Sequence, residues 1–342
     1  MLKQIDARDS NVEGRVIKDG KQLSQKVKSF EEALSHFLAE FKDTEFWPQV
    51  AVLGVAGPVD NNTVEFTNVS QWSLIDGTSL SQILEIPHFL LINDFTAAGY
   101  GILPLKEKDF IRLDDNQIVE GGVKVVIGPG TGLGQGILTK GKDSKYYDPI
   151  ASEGGHVDFS VRNREDFDLL EFAQKYIEES ENVENLRSKG RIHRVSIERL
   201  CAGPALPLIY DFFAKRDETL KRELETTEGK SFNDITGEDI VAFGINKKDP
   251  LCLKVIEKFT EIFAVEVGNM ALKCLPYGGI YMTGGVTAGI LDYIMHSDTF
   301  LNNFYAKGRQ DKKMRKIPVF IVRPEIHLGL LGAEECARRK LV

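Results

Sequence analysis

Four glycines fall within seven residues at Gly128-Pro129-Gly130-Thr131-Gly132-Leu133-Gly134, directly after the apolar run 123–127. Glycine has no Cβ, so such a cluster marks backbone that turns sharply or lets something approach closely. Consecutive amides there can form a nest for an anion, and the Thr131 hydroxyl adds a donor. The spacing disfavours two common phosphate-binding patterns. Counted from Gly128, the sixth position is Leu133, so G-x-G-x-x-G fails. No Gly-Lys-Ser or Gly-Lys-Thr follows, so the P-loop pattern fails as well. A glycine-rich hairpin between two strands is the competing reading of the same residues.

The cluster belongs to an alternating pattern. Residues 50–56 (VAVLGVA), 89–92, 123–127, 280–282 and 317–322 are short apolar runs that read as buried strands. Between them lie helical periodicities. Ser29-x-x-Glu32 is a capping box, followed by Ala33, Leu34, Phe37, Leu38 and Phe41. Leu169, Leu170, Phe172, Ala173, Tyr176 and Ile177 mark a second helix. Gly203-Pro204 opens a third, and residues 253–275 carry a long fourth. Strands alternating with helices imply an α/β architecture, and 342 residues suggest about two domains. The charge run 215–230 reads as a solvated helix or insertion.

Composition narrows the partners. The net charge is −8, which argues against nucleic acid as the main partner, since phosphate-backbone binding needs clustered Lys and Arg. A small anionic ligand held by backbone amides stays open. Cys201, Cys252, Cys274 and Cys336 lie far apart without a C-x-x-C pair, so a disulfide framework or zinc knuckle is not expected. No run approaches the 18 apolar residues of a membrane span, and the first thirty residues hold no apolar signal region. The expectation is a cytoplasmic protein with free thiols.

Four further segments could carry chemistry. Asn93-Asp94 ends a strand, where α/β sheets place ligands. Asp94 could take a proton from a substrate hydroxyl with Asn93 hydrogen-bonding beside it, or could simply cap the next helix. Glu153-Gly154-Gly155-His156 sets a carboxylate and an imidazole around two glycines, so both can face one small polar ligand. A metal site lacks further ligands at metal spacing, and a structural histidine is the plainer alternative. Glu198 lies near a helix start that Ser196 could cap, where a carboxylate is also favoured by the helix dipole. Thr283-Gly284-Gly285 follows a strand and fits either close approach of a flat ligand such as a purine or a tight turn.

Taken in order, these segments resemble the bacterial-type glucokinases of the hexokinase–actin ATPase superfamily. The resemblance runs from about Val50 to the C-terminus. It rests on Gly54-x-Ala56-Gly57-Pro58, Thr67-Asn68-x-x-Trp72, Ile92-Asn93-Asp94-Phe95-Thr96-Ala97, the 128–134 cluster, Glu153-Gly154-Gly155-His156-Val157-Asp158-Phe159, Val195-Ser196-x-Glu198-Arg199, Gly203-Pro204, Gly284-Gly285 and Gly329-Leu330-Leu331-Gly332. The related zinc-bearing ROK kinases carry a cysteine cluster after the E-G-G-H segment. This chain lacks it, which points to the zinc-free group.

The resemblance implies an actin-like ATPase (ribonuclease H-like) fold of two α/β lobes with a sugar and nucleotide cleft between them. Residues 1–118 with 323–342 would form the small lobe and 119–322 the large one. It implies ATP-dependent phosphorylation of glucose at the 6-hydroxyl, with Mg²⁺ as cofactor, and a possible homodimer. By the same resemblance Asp94 is the catalytic base, and Asn93, Glu153, His156 and Glu198 are sugar-hydroxyl ligands. Gly130, Thr131 and Gly132 match a phosphate loop, and Gly284 and Gly285 match the adenosine motif. The family also begins with a strand and a D-x-G-G-T-N-x-R loop that holds ATP phosphates and helps place Mg²⁺. Here no Gly-Gly-Thr follows Asp6 or Asp9, so the first hairpin of the small lobe is expected to be truncated. The alternative that this departure raises is a catalytically weak or inactive sugar-binding paralogue.

Overall fold

A computed structural model of the chain describes residues 1–5, 14–20, 28–65, 74–180, 194–217, 219, 229 and 234–341. Thr67, Asn68 and Trp72, the Asp6 and Asp9 segment, and most of the 215–230 charge run lie outside the described residues. The strands in the first third are β1 (Leu2–Gln4), β2 (Arg15–Lys18), β3 (Val50–Val55), β4 (Thr63–Glu65), β5 (Leu74–Asp76) and β6 (His88–Asn93). They are followed by β7 (Phe110–Arg112), β8 (Lys124–Pro129), β9 (Leu133–Lys140), β10 (Tyr147–Ile150), β11 (Ile280–Met282) and β12 (Val319–Val322). The helices used below are α1 (Phe30–Leu38), α2 (Gly77–Ile83), α3 (Asp94–Gly101), α4 (Arg164–Ser180), α5 (Ala205–Arg216), α6 (Pro250–Cys274), α7 (Gly285–Gly289) and α8 (Leu328–Leu341).

The chain divides into two units. The first comprises Met1–Lys108, Tyr146–Ala151 and Glu325–Val342; the second comprises Asp109–Lys145 and Ser152–Pro324. Residues 109–118 therefore fall in the second unit rather than with the N-terminal lobe. The reason is β7, which pairs antiparallel with β12, Ile111 opposite Ile321. Five apolar runs were legible as strands, and all five are strands. The short β1, β2, β4, β5, β7 and β10 and the glycine-interrupted β9 were not.

In the first unit, β3 and β6 form a parallel pair with Val55 opposite Asn93. β1 pairs with β2, and β4 with β5, each antiparallel and separate from β3–β6. The core gathers Val55, Val64, Ile75, Leu80, Ile86, Phe89 and Leu91. Ser29 caps α1 through its Oγ, which accepts from the Glu32 N–H at 3.1 Å. The Glu32 carboxylate reaches back to the Lys28 N–H rather than to Ser29, so the box is closed one residue early. A cavity of about 720 Å³ is walled by β1, α1, β3 and α8, and Asp94 lies on its lining.

Helix α8 packs against α3 with almost no side chain between them. A methyl group on Gly332 would overlap the Ala97 carbonyl, and one on Gly101 would overlap the Leu328 carbonyl. This contact explains the Gly329-Leu330-Leu331-Gly332 signature: Gly332 lets the C-terminal helix lie against the helix that begins at Asp94.

In the second unit the strands run β9-β8-β11-β12-β7. β11 is parallel to both β8 and β12, so the unit holds a parallel centre flanked by antiparallel strands. Parallel centres of this kind are buried on both faces; Val125, Val126, Ile127, Ile280 and Met282 are indeed inaccessible. Helix α6 starts at Pro250, three residues before the expected start, because Asp249 caps it by accepting from the Cys252 N–H at 2.7 Å. Its Val255, Phe259, Phe263 and Val267 pack into a core shared with α5 residues Ile209, Phe212 and Phe213. All four cysteines are free thiols. Among the described residues no helix is long and apolar enough to cross a membrane.

Candidate functional site

Asn93 and Asp94 close β6 and open α3. The capping duty falls on Asn93. Its Oδ1 accepts from the N–H groups of Phe95 (2.9 Å) and Thr96 (3.2 Å), and its Nδ2 donates to the Gly57 carbonyl at 3.1 Å. The Asn93 side chain also hydrogen-bonds the Asp94 carboxylate. Asp94 is thereby released from the capping role that was its plainer reading. It occupies the first helical position, where its Oδ1 accepts from the Phe95 N–H at 2.9 Å. Partial desolvation holds its carboxyl above the usual carboxylate range, opposed by backbone hydrogen bonds and by the hydrogen bond from the Asn93 side chain.

In the second unit, the 128–134 cluster is a hairpin. Antiparallel β8 and β9 pair to Pro129 opposite Leu133, and Gly130, Thr131 and Gly132 form the tip. The hairpin alternative was therefore the correct topology, and it leaves the ligand reading intact. The Gly130 N–H donates to the Gly132 carbonyl at 2.7 Å, so the candidate outward donors are the Thr131 and Gly132 amides and the exposed Thr131 hydroxyl. The Gly130 carbonyl accepts from the Gly203 N–H, also at 2.7 Å. The Gly203-Pro204 signature thus anchors the tip to the start of α5.

The second glycine turn lies beside the first because β8 and β11 are in register. Ile127 is opposite Met282, and the Thr283 N–H donates to the Ile127 carbonyl at 2.9 Å. Gly128 then meets Thr283, and Gly284 meets Pro129. Gly284 has φ +97°, a conformation open to glycine, and a Cβ there would sit 2.5 Å from the Pro129 carbonyl. Both turns lie at the carboxyl ends of parallel strands, the usual place for a ligand in such sheets. A Cβ on Gly130 or Gly285 would meet nothing within 4 Å, so both offer bare backbone to an approaching molecule.

Glu153, His156 and Glu198 come together. His156 Nε2 is 3.6 Å from Glu153 Oε2, and His156 Nδ1 is 3.8 Å from Glu198 Oε1. Glu153 precedes and His156 ends the short 3-10 turn Gly154–His156, where the two glycines serve close packing rather than unusual dihedrals. A methyl group on Gly155 would overlap the Leu133 carbonyl, and one on Gly154 would overlap the Gln135 side chain. Glu198 sits on the 3-10 turn Ile197–Leu200. Ser196 holds the capping position there but makes no side-chain capping bond, contrary to the sequence reading. Instead Glu198 Oε2 accepts from the Leu133 N–H at 3.0 Å. One carboxylate therefore joins the acid–imidazole cluster to the base of the glycine hairpin.

Sequence reasoning missed Arg194. Its guanidinium donates to the His156 carbonyl at 2.6 Å and to Asp158 Oδ1 at 3.0 Å, clamping the turn from outside. A lone arginine beside residues outside the strand pattern gave no signal in the sequence.

Two α/β units, paired glycine turns at the ends of parallel strands and a polar cluster tied to one of them agree with the actin-like ATPase fold of the sugar kinases. The chain belongs to the glucokinase family, whose family model matches residues 6–340. The match extends well ahead of Val50, where the legible motifs began. The glucokinase of Nostoc punctiforme is 38% identical over 302 residues, 85% of this chain and 83% of that protein. Among solved structures, glucokinase from an Antarctic psychrotroph superposes with TM-score 0.75 at 22% identity, covering 97% of this chain and 92% of that one. A ROK family glucokinase from Streptomyces griseus, solved with glucose and AMPPNP, superposes with TM-score 0.55 at 19% identity over 90% of this chain and 87% of that one.

Proposed function

We propose that the chain transfers the γ-phosphoryl group of ATP to the 6-hydroxyl of glucose through the residues described above. The observation that carries this reading is the convergence of Glu153, His156 and Glu198, with Glu198 also bonded to the Leu133 N–H. Carboxylates accept hydrogen bonds from hydroxyls, and imidazole can donate or accept, so the trio suits a polyol. A site that pairs each hydroxyl rejects an epimer, because the epimer leaves polar groups unpaired. Asn93, beside Asp94, is assigned as a further ligand of a sugar hydroxyl.

Asp94 is assigned as the general base. The 6-oxygen forms a bond to γ-phosphorus while the bond from that phosphorus to the β–γ bridging oxygen breaks, and the hydroxyl proton passes to Asp94. A carboxylate with a raised pKa is the better base for this step. Phosphoryl transfer depends mainly on positioning and charge stabilisation. The Thr131 and Gly132 amides and the Thr131 hydroxyl suit phosphate oxygens, and the bare backbone at Gly284-Gly285 suits the adenosine. Mg²⁺ would neutralise phosphate charge. Such an ion would arrive on the nucleotide and keep few protein ligands. The cytoplasm, which supplies ATP and glucose, is the expected compartment, and a homodimer follows only from family likeness.

The test is a coupled assay for glucose 6-phosphate with purified protein, Mg·ATP and glucose. Saturable turnover supports the reading. Glucose-induced stabilisation without turnover would instead favour a sugar-binding protein.

A further inference from the structure

Beneath the Gly154–His156 turn runs a chain of buried and half-buried polar side chains that phosphoryl transfer does not use. Gln135, on β9, is 6% exposed, and Glu266, midway along α6, is 3% exposed. Gln135 Nε2 donates to Glu266 Oε1 at 2.9 Å. Asn269 Nδ2 donates to Glu266 Oε2 at 3.3 Å. Lys307 Nζ donates to Asn269 Oδ1 at 2.7 Å and to the Val265 carbonyl at 3.0 Å.

The polarity of this chain is fixed at each link. Lys307 has only hydrogens to give, so Asn269 presents its oxygen to Lys307 and its NH₂ to Glu266. Glu266 accepts on both oxygens. Gln135 must therefore turn its NH₂ toward Glu266 and its carbonyl oxygen away. That oxygen lies against Gly154, where a methyl group would overlap the Gln135 amide and come within 3.0 Å of Ser152 Oγ. The Ser152 hydroxyl accepts from the Gly154 N–H at 3.0 Å. The amide plane of Gln135 is thus the floor on which the turn rests, and Glu266 sets that plane.

The geometry points to Glu266, acting through Gln135, as a positioning residue that fixes the turn carrying Glu153 and His156 and so sets affinity for the sugar. This rests on the reading of that turn as sugar-binding. A buried polar chain of this kind is high-stakes, because an unmatched link leaves a desolvated donor or acceptor. Along α6, Asn269 links Glu266 to Lys307, and Gln135 is the link from Glu266 toward the turn.

The test uses three variants of the full chain: E266Q, Q135E and the swap Q135E/E266Q. In E266Q the new NH₂ must face Gln135 Nε2 or Asn269 Nδ2, both donors, so one link breaks. In Q135E two carboxylates face each other. In the swap, the amide now at position 266 donates to the carboxylate now at position 135 and accepts from Asn269, and every link is remade. Expected for E266Q is a rise of about fivefold to tenfold in glucose KM, the scale of one broken buried hydrogen bond. ATP KM and kcat stay within twofold, and amide exchange at His156 and Val157 speeds up. The swap recovers most of both effects.

Unchanged glucose KM and exchange in a folded E266Q would overturn the proposal and leave Glu266 a core residue only. Failure of the folded swap to recover glucose KM would overturn it too. If the unaltered chain binds no glucose yet exchange still rises in E266Q and recovers in the swap, the brace on the turn is upheld and the sugar reading falls.

Discussion

Glu198 makes two connections that substitution can separate. Its Oε1 faces His156 at 3.8 Å, and its Oε2 accepts from the Leu133 N–H at 3.0 Å. Leu133 is buried, and it is the first residue of β9 after the Gly130–Gly132 tip. Glu198→Ala removes both connections and leaves the Leu133 N–H without its partner. An unsatisfied buried donor costs about 1–3 kcal/mol, and 1.4 kcal/mol is a factor of about ten. The side chain retains about a quarter exposure, so water relieves part of that cost and the lower half of the range applies. Glu198→Gln keeps an oxygen for Leu133 and loses only the charge offered to a sugar hydroxyl. A charged hydrogen bond exceeds a neutral one by about 1 kcal/mol.

Glu198→Gln should therefore raise glucose KM roughly fivefold and leave ATP KM within twofold. Glu198→Ala should raise glucose KM further and also raise ATP KM by roughly fivefold to tenfold, since the hairpin tip loses its tie. Steady-state kinetics with each substrate varied at saturation of the other reads both constants. Equal ATP KM in the two variants would refute the reasoning. The Leu133 bond would then have no part in holding the tip.

Asp94→Asn should lower kcat by about 10²- to 10⁴-fold, the usual worth of a general base, with little change in glucose affinity by calorimetry. The raised pKa of Asp94 sets a further sign. Its folded pKa lies above the unfolded value, so protonation favours the folded form and that contribution fades as pH rises through the folded pKa. Asp94→Asn should accordingly raise Tm at neutral pH, while kcat/KM of the unaltered protein should fall on the acid side at a pH above the ordinary carboxylate range; an unchanged or lower Tm would contradict the desolvation account. Gly332→Ala forces a methyl group onto the Ala97 carbonyl and should destabilise by about 1–3 kcal/mol in denaturant melts, with kcat falling too because α3 starts at Asp94. Arg194→Ala releases the His156 carbonyl and Asp158, and should raise glucose KM severalfold with little loss of Tm, since its side chain is half exposed.

Much of this arrangement was legible because it is local. The apolar runs at 50–56, 89–92 and 280–282 announce strands by composition alone, and Ser29 and Gly203-Pro204 mark helix starts by residue type. Glycines were legible as a class, but their reasons were not. Gly284 serves a positive φ, Gly155 a close approach to Leu133, and Gly332 a helix crossing; these differ only in three dimensions. The choice between Asn93 and Asp94 as the helix cap turns on a single residue of register, which helix signals do not resolve. Gln135, Arg194 and Glu266 stayed invisible because the partners that tie them to the site are 36 to 131 positions away, and nothing in a buried glutamate's own neighbourhood advertises a glutamine on another element. The strand Leu133–Lys140 was hidden by its two glycines and one glutamine, which break the apolar pattern although the strand is largely buried.

The account stands on Asp94 serving as the base in a working glucose kinase. The most direct measurement is glucose 6-phosphate formation from Mg·ATP and glucose by the purified chain, beside Asp94→Asn at matched concentration, with glucose binding of both followed by calorimetry. The account predicts saturable turnover in the unaltered chain, loss of at least about a hundredfold in the variant, and similar glucose affinity in the two. Turnover that survives the substitution, or glucose binding with no turnover in the unaltered chain, would contradict it.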